Sequence, residues 1–484
     1  MTVEATPQRT KVLMLLGTSL VTDARVRKSA SSMRDAGYDV TLVWCHPATV
    51  VPEIIAIEGV EIIAVAYDDY LAKHRIYLQY RRSAREAKYP TLSYRSAKDQ
   101  RAAGQRLSAR EARHHVVAKE RHGLGIARLI HRARSGALTR REHRLARHNQ
   151  AAGWRVTLGH VADIEVALRP ALNRIKADIV HVHDIYPLGA GVEYKLRMAA
   201  EGHRVVLIYD AHEYVPGQAR VDETTTAAYA AMERELAPYV DGFIAVSEPS
   251  AKAIHKELNL AERPTVVVNC QPENAPEPAA NWGTLREMTG LDESVPLVAY
   301  VGGVGTQRCL EEAIRAMKYL PEAHLAMVCA PSKTTPYAAK LVQLAQDLGL
   351  GDRVHFFDAV PPDQVCHVME GCSVGLNPLQ PHLLNHVLTL PNKVFEYARA
   401  GVPVAASQTG ELARIVTEYG LGETFDPEPK SIAEAVTKIL ANRSAYVAAT
   451  RAPEFVREYS WERQMTKQLA LYQRLQLSGD NQAA

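Results

Sequence analysis

The sequence predicts an α/β protein with two doubly wound parallel sheets, one in each half of the chain. Short apolar runs alternate with helix-length segments over most of the 484 residues, as in parallel sheets with crossover helices. A proline-spaced stretch, residues 272–278, interrupts this pattern near the middle. Each half opens with a buried strand, a glycine-containing turn and a helix, which is the first unit of a Rossmann-like sheet.

The first half contains seven predicted strands. They are residues 11–16, 38–44, 61–66, 177–184, 204–209, 241–247 and 265–269. A helix over residues 22–35, stopped by Gly37, joins the first two strands. The opening turn lacks the GxGxxG pattern, so we do not expect a dinucleotide there.

The second half contains five predicted strands and a closing amphipathic helix over residues 461–475. The strands are residues 297–301, 323–329, 354–357, 373–376 and 402–406. We therefore expect an N-terminal domain at 1–272, a linker at 273–290, a C-terminal domain at 291–445, and helices at 446–484 that pack back on the N-terminal domain.

Composition excludes several classes of protein. A hydrophobic content of 47% and an aromatic content of 6% fit a soluble α/β protein. The six cysteines form no CxxC pair, which argues for a reducing compartment and against a disulfide framework or a zinc site. Because there is neither an export signal nor an apolar run of about 18 residues, we expect a cytoplasmic protein that does not span a membrane.

Positive charge is concentrated in one segment, residues 71–155. It holds 22 Lys and Arg against 5 Asp and Glu, a net charge of +17, whereas the remaining residues carry −14. Few helix breakers occur in it, so we expect a helical insertion. Two interpretations remain open, a surface that meets anionic lipid at the inner membrane face and a hairpin that mediates self-association. Nucleic acid is the least favoured partner.

Polar side chains follow several strands of the first predicted sheet. Ligands of parallel sheets bind at the carboxyl ends of strands, so these residues are candidates for a polar site: Thr18, Ser19, Asp23, Arg25, His183, Asp184, Asp210, His212 and Glu213. Capping and loop hydrogen bonds are the ordinary alternative for each of them. The His and acidic residues lie on separate loops without i, i+4 spacing, so we predict no metal site.

The stretch from Leu390 to Val404 is the most informative part of the sequence. Pro391 suits the first turn of a helix, whose free amides can hold a phosphate. Lys393 adds a positive charge, and Glu396, one turn further along, can bind a diol. Gly401 ends the helix before a buried strand. The glycine-rich turn of Gly302 and Gly303, followed by Arg308, can likewise approach a phosphate.

Two Rossmann-like domains with the phosphate elements in the second resemble the GT-B glycosyltransferases. The closest resemblance is to the retaining nucleotide-sugar enzymes of glycosyl transferases group 1. It rests on a set of segments in a fixed order: Asp23-Ala24-Arg25-Val26, residues 178–184, Asp210-Ala211-His212-Glu213, Ala245-Val246-Ser247, Pro391-Asn392-Lys393-Val394-Phe395-Glu396-Tyr397 and Ala400-Gly401-Val402-Pro403-Val404. The two domains of such enzymes face each other across a cleft.

The resemblance implies a role for each matching residue. Glu396 corresponds to the acid that binds the donor ribose, Arg308 to a cation facing the diphosphate, and His212 to the histidine beside the transferred sugar, which makes these three the catalytic candidates. Other residues expected to bind the donor are Gly302, Gly303, Asp358, Val360, Asn392, Lys393 and Val394. The acceptor is expected at Thr18, Ser19, Asp23, Arg25, Asp184 and Glu213.

Two departures from the family pattern affect the donor site. Leu388 stands where the family has an acid that contacts the sugar, which leaves Asn385 or His386 as substitutes, or a sugar lacking that hydroxyl. Gly303 stands where the family often has Arg, which leaves Arg308 and Lys393 as the cations. The implied reaction is metal-independent, cofactor-free transfer of a sugar from UDP or GDP with retention. Alternatives are a nucleotide-sugar epimerase or phosphorylase-like enzyme, and a silent scaffold that binds a polyanion through residues 71–155.

Overall fold

The computed structural model of the chain describes residues 9–50, 55–68, 153–218, 223–273 and 282–480. Most of the basic insertion, with the lipid and self-association surfaces predicted for it, lies outside these ranges, as do residues 274–281 of the predicted linker. By contact the described residues form two compact units. The first draws on residues 1–20, 26–211 and 219–243, and the second on residues 21–25, 212–218 and 244–484.

The first sheet has seven strands in the order β3-β2-β1-β4-β5-β6-β7 within the described ranges, and the pairings described are parallel. The strands are β1 (Lys11–Leu16), β2 (Asp39–Pro47), β3 (Glu61–Tyr67), β4 (Ile179–His183), β5 (Val206–Ala211), β6 (Gly242–Ala245) and β7 (Thr265–Val266). Val12 to Leu16 are all buried, as expected of a central strand covered on both faces. All seven predicted strands are confirmed.

Helices connect the strands of this sheet. In the described part they are α1 (Ala24–Asp35), α2 (Gly153–Thr157), α3 (Gly159–Leu172), α4 (Leu188–Ala200), α5 (Glu223–Leu236) and α6 (Glu248–Glu257). Helix α3 is buried at six consecutive positions, residues 161–166, so it is covered on more than one face.

The second sheet has six parallel strands in the order β10-β9-β8-β11-β12-β13. The strands are β8 (Leu297–Gly303), β9 (His324–Ala330), β10 (Val354–Asp358), β11 (Val374–Asn377), β12 (Val404–Ser407) and β13 (Gly422–Phe425). Alternate residues of β8 enter different cores, with Leu297 and Ala299 on one face and Val298 and Tyr300 on the other. The five predicted strands are confirmed, and β13 is an addition.

Eleven helices of the described part follow β7. They are α7 (Leu285–Thr289), α8 (Leu310–Ala316), α9 (Pro336–Asp347), α10 (Val365–Met369), α11 (Leu384–Leu388), α12 (Lys393–Arg399), α13 (Gly410–Glu418), α14 (Pro429–Ala441), α15 (Arg443–Thr450), α16 (Pro453–Glu458) and α17 (Trp461–Asp480). Among the described helices, none combines the length and apolar character needed to cross a bilayer.

The compact units divide between Phe243 and Ile244, inside β6, while the domain boundary predicted at residue 272 stays a prediction. Strand β7 groups with the C-terminal part of the chain. Helix α17 contacts β7, and the side-chain oxygen of Gln464 accepts a hydrogen bond of 3.1 Å from the amide of Val268. These contacts join the end of the first sheet to the C-terminal helix.

Candidate functional site

Three neighbouring strands of the second sheet end at the same level. Gly302 of β8 lies opposite Cys329 of β9, and Cys329 lies opposite Asp358 of β10. The glycine-rich turn and Asp358 therefore lie at one edge of the sheet. The Asp358 carboxylate accepts hydrogen bonds from the Ser332 hydroxyl at 2.8 Å and the Lys333 amide at 3.1 Å. These bonds, that of Ser332 first, lower the pKa of Asp358.

The loop after Asp358 carries Val360, whose side chain packs against the apolar core on one face of the sheet. That packing anchors the loop beside the strand ends. We therefore expect the main-chain groups of this anchored loop to make the predicted contact of Asp358 and Val360 with the nucleotide base.

Gly302 provides room for the side chain of Lys393. Its φ of +138° is unfavourable for other residues. A Cβ atom at this position would lie 2.6 Å from Nζ of Lys393. The same ammonium group lies 5.5 Å from the centre of the Tyr300 ring, within the range of a cation–π interaction. The Tyr300 hydroxyl donates to the carbonyl of Gly303 at 2.6 Å, which fixes the ring.

Lys393 and Arg308 form a pair of cations without a matching pair of anions. Burial first, then the positive charge of Arg308, lowers the pKa of Lys393 from 10.5 to about 7, and Glu396 partly opposes this shift. Arg308 ends a single 3-10 turn, Thr306–Arg308, after β8. Within the described residues, no ion pair of 4.0 Å or less involves either cation. The site therefore favours a bound anion.

Helix α12 carries the acid of the candidate site. Asn392 precedes its first residue, and Glu396 lies in its first turn. The amides of Lys393 and Val394 belong to the first turn, which lacks intrahelical acceptors. Because α12 has only seven residues, its macrodipole is weaker than that of a long helix. The two cations therefore dominate the local field.

Tyr397 fixes α12 against the sheet, a role that sequence reasoning missed. Its buried hydroxyl accepts a hydrogen bond from the amide of Val301 at 3.2 Å and donates one to the carbonyl of Leu376 at 3.0 Å. Its ring lies so close to Gly375 that a Cβ atom there would be 2.4 Å away. The helix is thus tied to β8 and β11, which positions Glu396 relative to the glycine turn.

The sequence near Leu388 offers no acid. Asn385 and His386, the two residues expected to substitute for one, have different hydrogen-bond partners in the structure. The side-chain oxygen of Asn385 accepts a hydrogen bond of 3.1 Å from the amide of Tyr214. His386 is buried, and its Nδ1 donates to the carbonyl of Gln380 at 3.0 Å. Burial first, and then the charges of Arg308, His382 and Lys393, lower the pKa of His386. His386 therefore belongs to the electrostatic environment of the two cations.

The acceptor candidates fall into two groups. Thr18, Ser19 and Asp184 follow β1 and β4, which end in register at Leu16 and His183. Asp184 adopts a φ of +62°, and its side chain accepts a hydrogen bond from the amide of Ile185 at 2.7 Å. These three residues lie in the first compact unit.

Asp23, Arg25, His212 and Glu213 lie in segments that group with the second unit. Nδ1 of His212 is 3.9 Å from a carboxylate oxygen of Asp23, so a catalytic candidate and an acceptor candidate are neighbours. Glu213 is exposed and accepts a hydrogen bond from Gln218. Arg25 is 3% exposed and donates to the carbonyl of Val267 at 2.8 Å. Its guanidinium group therefore serves the fold, which leaves little of it for an acceptor.

A buried cluster joins two strands of the first sheet. His181, His183 and Asp210 place one possible metal ligand each within 4.8 Å of one another. Nδ1 of His183 lies 3.2 Å from the carboxylate of Asp210, and the histidine rings lie 4.0 Å apart. Sequence reasoning noted His183 and Asp210 but missed His181, which lies inside a strand. This hydrogen bond pairs Nδ1 of His183 with the Asp210 carboxylate and joins β4 to β5.

Comparison with known proteins extends these observations. Residues 283–453 match the family described as glycosyl transferases group 1, and residues 100–270 match glycosyltransferase family 4. The second match begins inside the basic insertion, which the sequence resemblance left out. Together the two matches span 71% of the chain.

Two curated relatives illustrate the level of similarity. A D-inositol 3-phosphate glycosyltransferase of Corynebacterium urealyticum is 26% identical over 199 residues, 39% of this chain and 46% of the relative. A 2-deoxystreptamine glucosyltransferase of Streptomyces kanamyceticus is 24% identical over 286 residues, 58% of this chain and 72% of the relative. The match thus spans about half of the first relative's length and more of the second's.

Solved structures share the fold over nearly the whole chain. Sucrose-phosphate synthase from Thermosynechococcus elongatus has a TM-score of 0.62 at 15% identity, covering 97% of this chain and 100% of its own. Anabaena HepE in complex with UDP-glucose has a TM-score of 0.60 at 13% identity, covering 96% and 100%. Residues 283–453 therefore match glycosyl transferases group 1, residues 100–270 match glycosyltransferase family 4, and the chain shares the GT-B fold of these solved structures.

Proposed function

We propose that this glycosyltransferase moves a sugar from a UDP- or GDP-linked donor to an acceptor hydroxyl, with retention at the anomeric carbon. One observation carries the proposal. Arg308 and Lys393 lie together at the ends of the second sheet, beside glycines that leave the main chain accessible and beside Glu396. This set of groups complements a diphosphate joined to a ribose.

The donor would bind through groups of different kinds. Arg308 and Lys393 would neutralise the diphosphate, together with the free amides of Lys393 and Val394. Glu396 would accept hydrogen bonds from the ribose hydroxyls. The loop from Asp358 to Val360 would contact the base. Support for a nucleotide-sugar donor comes from HepE, whose structures contain UDP or UDP-glucose.

Lys393 would also replace the Arg that the family often carries after the first glycine of the turn. That position is Gly303 here, and the side chain of Lys393 reaches over Gly302 from helix α12 instead. A diphosphate beside the ammonium group would raise its pKa again, because the anion favours the charged form. The cation would thus become fully charged as the donor binds.

The chemistry would proceed without a protein nucleophile. The bond between the anomeric carbon and the diphosphate oxygen breaks, and the acceptor oxygen forms its bond on the same face. The acceptor proton passes to the leaving phosphate oxygen. Because negative charge develops on the diphosphate, Arg308, Lys393 and the amides stabilise the transition state, together by ~3–6 kcal/mol. No metal is required, and His212 would lie beside the transferred sugar.

The acceptor would be a polyhydroxylated molecule that meets Thr18, Ser19, Asp23, Asp184 or Glu213. Two curated relatives are named for the cyclitol acceptors D-inositol 3-phosphate and 2-deoxystreptamine, so cyclitols are the first acceptors to test. Residues 71–155 would dock the enzyme on anionic lipid or mediate self-association. Co-sedimentation with vesicles of phosphatidylglycerol, compared with phosphatidylcholine, distinguishes these roles.

The experiment that tests the donor site uses Glu396→Gln and the control Glu434→Gln, whose side chain is 62% exposed on α14. Thermal shift is measured with UDP, GDP, UDP-glucose and GDP-mannose. A ligand at 100 times its Kd should stabilise the wild type and the control by about 2.7 kcal/mol.

We expect Glu396→Gln to lose most of this stabilisation, because the ribose hydroxyls lose their charged acceptor. Equal shifts in the wild type and Glu396→Gln would contradict the assignment. Incubation of the best donor without an acceptor provides a further check. Conversion of its sugar under those conditions would favour the epimerase alternative.

A further inference from the structure

We propose that His386 takes the place of the acid missing at position 388, by accepting a hydrogen bond at Nε2 from one hydroxyl of the donor sugar. The inference rests on the proposed function and deepens it, since it names the group that distinguishes a sugar nucleotide from the bare nucleoside diphosphate. It assigns donor specificity to a residue two positions before the one that the family pattern indicates.

The residues around position 388 leave few other candidates. The carbonyl of Leu388 accepts a hydrogen bond from the hydroxyl of Ser247, and its side chain is apolar. The side-chain oxygen of Asn385 already accepts a hydrogen bond from the amide of Tyr214, and its main-chain carbonyl accepts one from the hydroxyl of Thr389 at 2.6 Å, so both acceptors of Asn385 are occupied. Helix α11 therefore offers His386 as its polar group toward Arg308 and Lys393.

A short chain of hydrogen bonds fixes the ring of His386. Nδ1 bonds to the carbonyl of Gln380. Gln380 in turn donates from its side chain to the carbonyl of Thr306 at 3.2 Å and from its amide to the carbonyl of Gln307 at 3.3 Å. The imidazole is thus held against the turn that ends at Arg308, so it shares a rigid frame with the diphosphate-binding cation.

The same bonds define the chemistry of the ring. A carbonyl oxygen can only accept, so Nδ1 carries the proton, and Nε2 of the neutral ring has a lone pair. Burial is the main cause of the lowered pKa of His386, which is only 9% exposed; the bond to Gln380 opposes the shift, and the charges of Arg308, His382 and Lys393 add to it. The ring is therefore a neutral acceptor when the donor arrives.

A neutral imidazole recognises a sugar differently from a carboxylate. A carboxylate accepts several hydrogen bonds and carries a charge, whereas Nε2 accepts one bond without a charge. The donor sugar would therefore be selected through a single hydroxyl. Removing that hydroxyl, or Nε2, leaves the partner buried and unpaired, which corresponds to about a 10- to 100-fold loss of affinity.

Two substitutions separate the two nitrogens of the ring. In His386→Asn the amide nitrogen can keep the bond to Gln380, but nothing replaces Nε2. In His386→Gln the longer side chain can place an oxygen near the position of Nε2. His382→Asn is the matched control, because His382 precedes helix α11 by two residues and is exposed. Binding of UDP, GDP, UDP-glucose, UDP-N-acetylglucosamine and GDP-mannose is measured by calorimetry, and transfer by kcat/KM for the donor.

We expect all variants to bind the preferred nucleoside diphosphate as the wild type does. His386→Asn should lose 10-fold or more in affinity for the corresponding sugar nucleotide and in kcat/KM, and His386→Gln should stay within about 3-fold of the wild type. If His386→Asn binds both ligands like the wild type, His386 does not contact the sugar, and the inference fails alone. If the wild type binds none of these ligands, the inference and the proposed function fail together.

Discussion

Replacing Lys393 with Met should stabilise the protein while removing its affinity for nucleoside diphosphates. The ammonium group lies over Gly302 and the ring of Tyr300, beside the charge of Arg308, and its pKa is lowered from 10.5 to about 7. The folded, unliganded protein therefore holds a group whose charged form is unfavourable. Met has a similar length and removes the charge.

The size of the effect follows from the pKa. One pKa unit corresponds to 1.36 kcal/mol, so the full shift sets an upper limit of about 4–5 kcal/mol. Partial exposure and the lost cation–π contact with Tyr300 reduce this limit, and we expect a gain of about 1–3 kcal/mol in the free energy of unfolding at pH 6.

The gain should depend on pH in a defined direction. Between about pH 7 and 10.5 the unfolded chain binds more protons at this lysine than the folded chain. The free energy of unfolding of the wild type therefore rises with pH through this window. The Met variant lacks this rise, so the difference between the two proteins is largest below pH 7 and shrinks as the pH approaches 10.

Urea denaturation at pH 6.0, 7.5 and 9.0 measures the difference, with Lys340→Met as control because Lys340 is exposed on α9. The control should match the wild type within about 0.5 kcal/mol at each pH. Calorimetry with UDP and GDP should show at least a 10-fold weaker affinity for Lys393→Met. A variant that is less stable than the wild type at pH 6, or that binds the diphosphate normally, would refute the reasoning.

Three further substitutions test the packing and charges described above. Gly375→Ala should lower the free energy of unfolding by about 1–3 kcal/mol, since the new methyl group overlaps the buried ring of Tyr397; Gly351→Ala, with open space around it, should change it little in the same urea titration. Arg25→Met should cost about 1–3 kcal/mol by calorimetric melting, because a buried carbonyl loses its charged donor. Glu165→Gln should match the wild type near pH 5 and exceed it by about 1–3 kcal/mol near pH 8. Burial raises the pKa of Glu165 from 4.5 to about 8, so the wild type loses stability as the pH rises through that range and the amide does not.

The sequence allowed the two sheets to be predicted because their central strands are apolar on both faces. It failed for β13, whose residues 422–425 include one large apolar side chain, Phe425. An edge strand of this kind needs its neighbour β12 to define it, and that pairing is a tertiary property.

The sequence indicates candidate-site residues where a suitable side chain also lies at the end of a predicted strand or helix. Gly302, Arg308, Lys393 and Glu396 lie at strand and helix ends, and the fold brings such ends together. Arg25 illustrates the limit. Its position after the first turn predicts a ligand contact, and in the structure its buried guanidinium donates to the carbonyl of Val267, which is distant in sequence. No local pattern distinguishes a guanidinium that binds a ligand from one that binds a distant carbonyl.

The contact between Gly375 and Tyr397 has a consequence for how this enzyme can diverge. The ring fills the space that a side chain at 375 would need, and its hydroxyl joins Val301 to Leu376. A larger residue at position 375 fits only if Tyr397 has already been replaced by a residue without a ring. Replacing Tyr397 first leaves a cavity and removes the hydrogen-bond partner of the Val301 amide and of the Leu376 carbonyl. Either single step passes through a weakened ancestor, so we expect descendants of this chain to keep both residues or to exchange both.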